Sequence, residues 1–182
     1  MGQVLSPHQL DREGKTAYQK EDWQAALQAF QAAEQAYLAA GDPLMAAEMA
    51  NNRSVAYLKS GDAQTALDVL DGIADRYAAA GDLRRQGMTL GNQGAALEAL
   101  GRLQEALVVY EESAELLKKT GEFDLRSHVQ QSISMIQFRT GKQLQALASM
   151  QAGIDAIPKP SPRQRFLKKL LHLPMKMMPG GR

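Results

Sequence analysis

Small and large apolar residues return along this chain at a fixed interval. Ala26-Leu27, Ala66-Leu67, Ala106-Leu107 and Ala146-Leu147 stand 40 residues apart, and four residues after each alanine comes Phe30, Leu70, Tyr110 or Met150. Positions i and i+4 share one helix face, so each alanine marks a close helix crossing and each larger side chain fills the space beside it. Glycine punctuates the same pattern every twenty residues, at Gly41, Gly61, Gly81, Gly101, Gly121 and Gly141. A glycine just past a helix end closes the last turn cheaply in the left-handed conformation. Asp42, Asp62, Asp82 and Glu122 follow four of these glycines and suit the first orphan N–H groups of the next helix.

The pattern predicts eight helices in four antiparallel pairs, over 7–20, 23–40, 43–60, 63–80, 83–100, 103–120, 123–140 and 143–157. Glu21-Asp22 stands where glycine is expected, a departure typical of a terminal repeat. Ser6-Pro7-His8-Gln9 supplies a cap, a first-turn proline and a capping-box glutamine for the first helix. Ser161-Pro162-Arg163-Gln164 repeats that signal and announces a ninth helix, after Ile157-Pro158-Lys159-Pro160 has broken the solenoid. Residues 1–157 are thus expected to form one solenoid domain, and 158–182 a proline-containing linker with a basic amphipathic helix and tail.

The second-helix part of this pattern resembles the tetratricopeptide repeat family in all four repeats. The first-helix part is patchier: Leu10, Gly14 and Ala17; Ser54 and Tyr57; Leu90, Gly94 and Leu97; with Ser134 and Gln137 furthest from it. The period of 40 exceeds the family's usual repeat and is similar to its longer-helix branch, seen in some cargo adaptors and peptide-sensing regulators. The resemblance, over residues 7–157, implies an all-α, right-handed α-solenoid of four antiparallel helix pairs, to which the C-terminal amphipathic helix is added. It also implies a concave groove lined by the first helix of each pair.

Counting by the period, one stripe on those first helices runs Arg12, Asn52, Asn92, Ser132, with Asp11, Asn51, Gly91 and Gln131 beside it. A turn later come Lys15, Val55, Ala95 and Met135, and another turn gives Gln19, Lys59, Ala99 and Arg139. Asparagine inside a helix needs a reason, because its amide competes for backbone bonds. An amide donates to a peptide carbonyl and accepts from a peptide N–H together. Asn52, Asn92 and Gln131 or Ser132, with Asn51 beside them, therefore form a ladder suited to holding an extended peptide, and the long-repeat branch is similar in using asparagines this way. The plainer reading is that these positions are solvated, or that their amides tie adjacent repeats together. Lys15, Lys59 and Arg139, with Arg12 nearby, would favour an acidic partner. The family's chaperone-tail clamp is a poor fit: Lys15 replaces an asparagine of that pattern, Met88 a lysine and Asn92 an arginine.

Composition narrows the classes. Alanine-rich and without cysteine, the 182-residue chain has no disulfide framework or thiolate site, which fits a reducing, cytoplasmic setting. No run of 18 apolar residues predicts a transmembrane helix, and the first residues lack the basic start and apolar run of a signal peptide. Gly2 and Ser6 match a loose myristoylation pattern, but Ser6 is better explained as a helix cap. Trp23, the sole tryptophan, opens the second helix and is expected to pack on the first pair. Three histidines and no phosphate loop, metal motif or nucleophile elbow leave enzymatic chemistry without support, and no cofactor is expected.

The net charge of +1 hides an asymmetry. Seven of the 21 basic residues and no acid lie in 159–182, leaving 14 basic against 20 acidic side chains, a formal −6, in 1–158. In the ninth helix, expected over 162–173, Phe166, Leu167, Leu170, Leu171 and Leu173 share one arc, and Arg165, Lys168, Lys169 and His172 the other. Such a helix suits capping of the last repeat, docking on an anionic membrane helped by Met175, Met177 and Met178, or binding a partner or the acidic body. Without interleaved aromatics, nucleic-acid binding is not expected. The leading expectation is a non-enzymatic protein- or peptide-binding adaptor or scaffold. A membrane-associated scaffold anchored by the tail and a self-associating structural module are the alternatives.

Overall fold

A computed structural model describes residues 5–171, and among them every regular element is an α-helix. In chain order these are α1 (Pro7–Gln19), α2 (Trp23–Ala39), α3 (Pro43–Ser60), α4 (Ala63–Asp68) and α5 (Ile73–Ala79). There follow α6 (Leu83–Ala99), α7 (Leu103–Lys119), α8 (Phe123–Arg139), α9 (Gln143–Asp155) and α10 (Pro162–Leu171). Apart from α4 and α5, which pack on α3 and α6, each helix packs on its chain neighbours, and α3 also meets α6, which is the all-α solenoid the periodicity predicts.

The punctuation works as local chemistry requires at the aspartates, whereas Glu122 makes no side-chain cap and pairs with Arg84 instead. Asp42, Asp62 and Asp82 accept hydrogen bonds from the backbone N–H groups of Met45, Thr65 and Arg85 at 3.0, 3.0 and 2.9 Å. Asp22 caps Ala25 in the same way at 3.1 Å, so the atypical first repeat keeps its cap. Glu21, not glycine, takes the left-handed turn position there, with φ 58°. Ser6 and Gln9 form the expected capping box. Gly2 lies outside the described residues, as do His172, Leu173 and the three methionines of the tail.

The crossings form where the alanines stand. Ala26, Ala66 and Ala106 are at most 1% exposed, and Phe30, Leu70 and Tyr110 are buried beside them. The facing helix makes room for the rings: a Cβ on Gly14 would lie 2.5 Å from Phe30, and one on Gly94 2.6 Å from Tyr110. The fourth pair departs from expectation, because Ala146 is buried but Leu147 and Met150 remain 40% and 37% exposed. Its first helix carries Ser134 where glycine admits a ring, and hydrogen bonds stitch the pair instead. Ser134 Oγ donates to the Ala146 carbonyl at 2.8 Å, and Ser149 Oγ to Gln137 Oε1 at 2.8 Å.

The helix expected over 63–80 is not continuous. It breaks between Asp68 and Ile73, where Gly72 turns left-handed at φ 66°. The Leu70 carbonyl accepts from the Ile73 backbone N–H across the break at 3.1 Å and from Gln93 Nε2 of α6 at 3.2 Å. Beyond the break, Ile73 and Tyr77 pack with Ala47 and Ala50 of α3. Of the four period-related positions, Ala32, Gly72, Glu112 and Ala152, only the second is glycine, and it was the legible sign of the break.

Candidate functional site

Three clefts open along the face built by α1, α3, α6 and α8. The first, between α1 and α3, is bordered by Lys15, Asn52 and Val55, with Phe30 behind them. The second, about 240 Å³, lies between α6 and α8 over α7, among Met88, Gly91, Asn92, Ala95, Val129 and Ser132. The third, about 290 Å³, lies between α8, α9 and α10, among Gln131, Met135, Met150, Ile154, Ile157 and Leu167. Both volumes fall below the roughly 300–1,000 Å³ of small-molecule sites, so each suits a side chain or two.

The polar ladder is partly spent inside the fold. Asn92 Nδ2 donates to Asn51 Oδ1 at 3.1 Å, and Asn51 is buried. These two amides join α3 to α6, so the tying role is the one their geometry fills. Asn52 is different: its Nδ2 is covered, yet has no hydrogen-bond partner among the described residues. The same α3–α6 junction leaves Thr89 Oγ1 unpartnered, and both side chains border a small cleft with Glu48, Tyr77 and Arg85. Arg85 contacts Glu48 at 3.2 Å and sits 5.8 Å from the Tyr77 ring centroid. Burial pushes the Tyr77 hydroxyl up to about 12, against the lowering effect of Arg85.

Ser132 and Arg139 meet a second polar group. The Tyr110 hydroxyl donates to Glu98 at 3.2 Å, and Ser132 borders the same cleft as Tyr110. Burial, the largest cause, pushes the Tyr110 hydroxyl up to about 12. Arg139 Nη1 reaches Glu98 at 3.4 Å, so its charge is matched internally. Lys15 is likewise held by Asp11 at 2.7 Å. Of the cations expected to select acidic partners, Lys59 is exposed near the end of α3, and Arg12 is exposed beside the cleft between α1 and the start of α2. Arg12 and Lys59 are therefore not brought together with the asparagines, and Gln131 stands exposed at the third cleft.

The tail residues divide. Leu167 faces the third cleft and Lys168 pairs with Asp155 at 2.8 Å, so one edge of α10 docks on the last pair. Arg165 Nε donates to the Pro160 carbonyl at 3.1 Å. Phe166 and Leu170, expected on the same arc as Leu167, are 70% and 50% exposed. Trp23 packs edge-on against Tyr18, with ring centroids 5.3 Å apart, across the α1–α2 corner.

The apolar side chains of the second and third clefts were missed as site residues by the polar reading. Their signal was present in Met88, Gly91, Ala95 and Met135, small or apolar residues on a stripe otherwise read for its amides. Among the described residues no cluster of three His, Cys, Asp or Glu side chains is placed to hold a metal ion, and no helix is long and apolar enough to cross a membrane.

Stacked antiparallel pairs with an open face of first helices define a helical-repeat protein. The family model for the tetratricopeptide repeat matches residues 45–119, which span α3 nearly from its start to the end of α7. Residues 45–119 therefore carry repeats of the tetratricopeptide family. Repeats of this family generally mediate protein–protein interaction and are generally not enzymes. No curated protein matches the chain.

Proposed function

We propose that this protein is a non-enzymatic adaptor or scaffold that holds a segment of a partner protein along the face of α1, α3, α6 and α8. The observation that carries this is the row of clefts on that face, two of them mainly apolar and spaced one repeat apart. Apolar side chains of the partner enter the clefts among Met88, Ala95 and Val129, and among Met135, Met150 and Ile154. The hydrophobic effect supplies most of the affinity there. Asn52 borders the first cleft, and Asn92 is kept in place by Asn51. Gln131 and Ser132 contribute polar contacts on the rim. The ligand is therefore selected by its apolar side chains more than by acidity, since Lys15 and Arg139 are already matched.

Selection from a random peptide library on the full chain tests the reading. Enriched peptides should carry two apolar residues at recurring spacing and bind Ala95→Glu roughly tenfold or more weakly. Asn52→Ala should weaken them less. Peptides that bind Ala95→Glu and wild type equally, both proteins showing the same helicity, would place the binding surface elsewhere.

A further inference from the structure

The C-terminal helix offers a second surface, separate from the groove. In α10, Leu167 and Leu171 are half-buried toward the last pair, and Lys168 is tied to Asp155. Phe166 and Leu170, one helical turn apart, stand open on the other side at 70% and 50% exposure. Arg163 and Lys169 fall to either side of that pair on the helical wheel, and both are exposed with no ion pair among the described residues. The apolar arc is thus divided, one edge serving the solenoid and the other facing out within a ring of cations.

We infer that this outer edge of α10 docks on an anionic lipid surface, with Phe166 and Leu170 entering the headgroup–acyl boundary and Arg163 and Lys169 meeting lipid phosphates. Three observations favour lipid over protein. Two exposed apolar side chains on a ten-residue helix fall far short of the roughly 800 Å² each partner commits to a stable protein interface. Shallow insertion of one or two apolar groups, assisted by cations, is how interfacial helices bind. A second copy is disfavoured by charge, because residues 159–182 hold seven basic side chains and no acid, and would repel themselves. The sign of the rest of the chain completes the argument. With a formal −6 over residues 1–158, an anionic membrane repels the solenoid and attracts only the α10 end. Docking is therefore end-on, and the face of first helices stays open.

Vesicle co-sedimentation of the full chain tests this, using phosphatidylcholine vesicles with and without roughly a third phosphatidylserine. Wild type is expected to sediment with the anionic vesicles and to be released as salt rises from low to physiological strength. Phe166→Ala/Leu170→Ala and Arg163→Ala/Lys169→Ala should each reduce binding roughly tenfold or more. Because all four side chains are exposed, helicity and melting temperature should match wild type, and Lys168→Ala should bind as wild type does. Equal sedimentation with neutral vesicles, none with anionic vesicles at low salt, or indifference to Phe166→Ala/Leu170→Ala would each overturn the inference. Concentration-dependent dimerisation without lipid that is abolished by Phe166→Ala/Leu170→Ala would overturn it in favour of a second copy.

Discussion

Gly94 and Tyr110 of the third helix pair hold the places that Ser134 and Met150 hold in the fourth, and the two pairs close differently. In the third, the missing side chain at Gly94 lets the Tyr110 ring lie against α6, leaving it 4% exposed. In the fourth, Ser134 bonds across to Ala146, while Met150 stays open to a cleft. The difference spreads across that end of the molecule. Eight of the eleven large apolar side chains that stand exposed among the described residues lie between Phe123 and Leu170. Leu144 replaces the glutamine found at Gln24, Gln64 and Gln104. One repeat register therefore produces a sealed interior pair and an open terminal one. A surface so rich in exposed apolar groups is where a solenoid meets other molecules.

The sharpest way to break this comparison is to truncate both fillers. Tyr110→Ala should cost about 3–5 kcal/mol in chemical denaturation, since it empties a packed ring site. Met150→Ala, removing a side chain already 37% exposed, should cost under about 1.5 kcal/mol. Equal losses would mean that the fourth pair is as tightly closed as the third. A smaller effect should follow from restoring a Cβ opposite the ring. Gly94→Ala would place that atom 2.6 Å from Tyr110 and should destabilise by about 1–2 kcal/mol, overpacking outweighing the gain in helix propensity. If Gly94→Ala stabilises the protein, the ring does not depend on the glycine. The smallest expected change lies at the opposite terminus. Glu21→Gly should raise stability by about 0.5–1 kcal/mol by relieving the left-handed backbone at φ 58°. An unchanged melting temperature would show that the first turn tolerates glutamate without cost.

Much of this fold is legible because its determinants are local. The aspartate caps, the left-handed glycines and the alanine crossings each act within a few residues or at a fixed repeat offset, so spacing exposes them. The break at Gly72 was less legible, because one of the bonds that hold it, from Gln93 to the Leu70 carbonyl, comes from 23 positions away. The asparagine ladder was legible as a set of residues and not as a set of roles. Asn51 and Asn52 are adjacent in sequence, yet one is spent on Asn92 and the other is left without an acceptor. A rotation of about 100° per residue sends adjacent side chains to different neighbours.

By itself the sequence determined the period, the helix ends and the crossings, because backbone capping and side-chain size act at short range and repeat. Only the tertiary structure decided which polar groups are consumed between repeats, where apolar clefts remain open, and which edge of the α10 arc is covered. Those depend on distances between elements far apart in the chain, which neither periodicity nor composition carries.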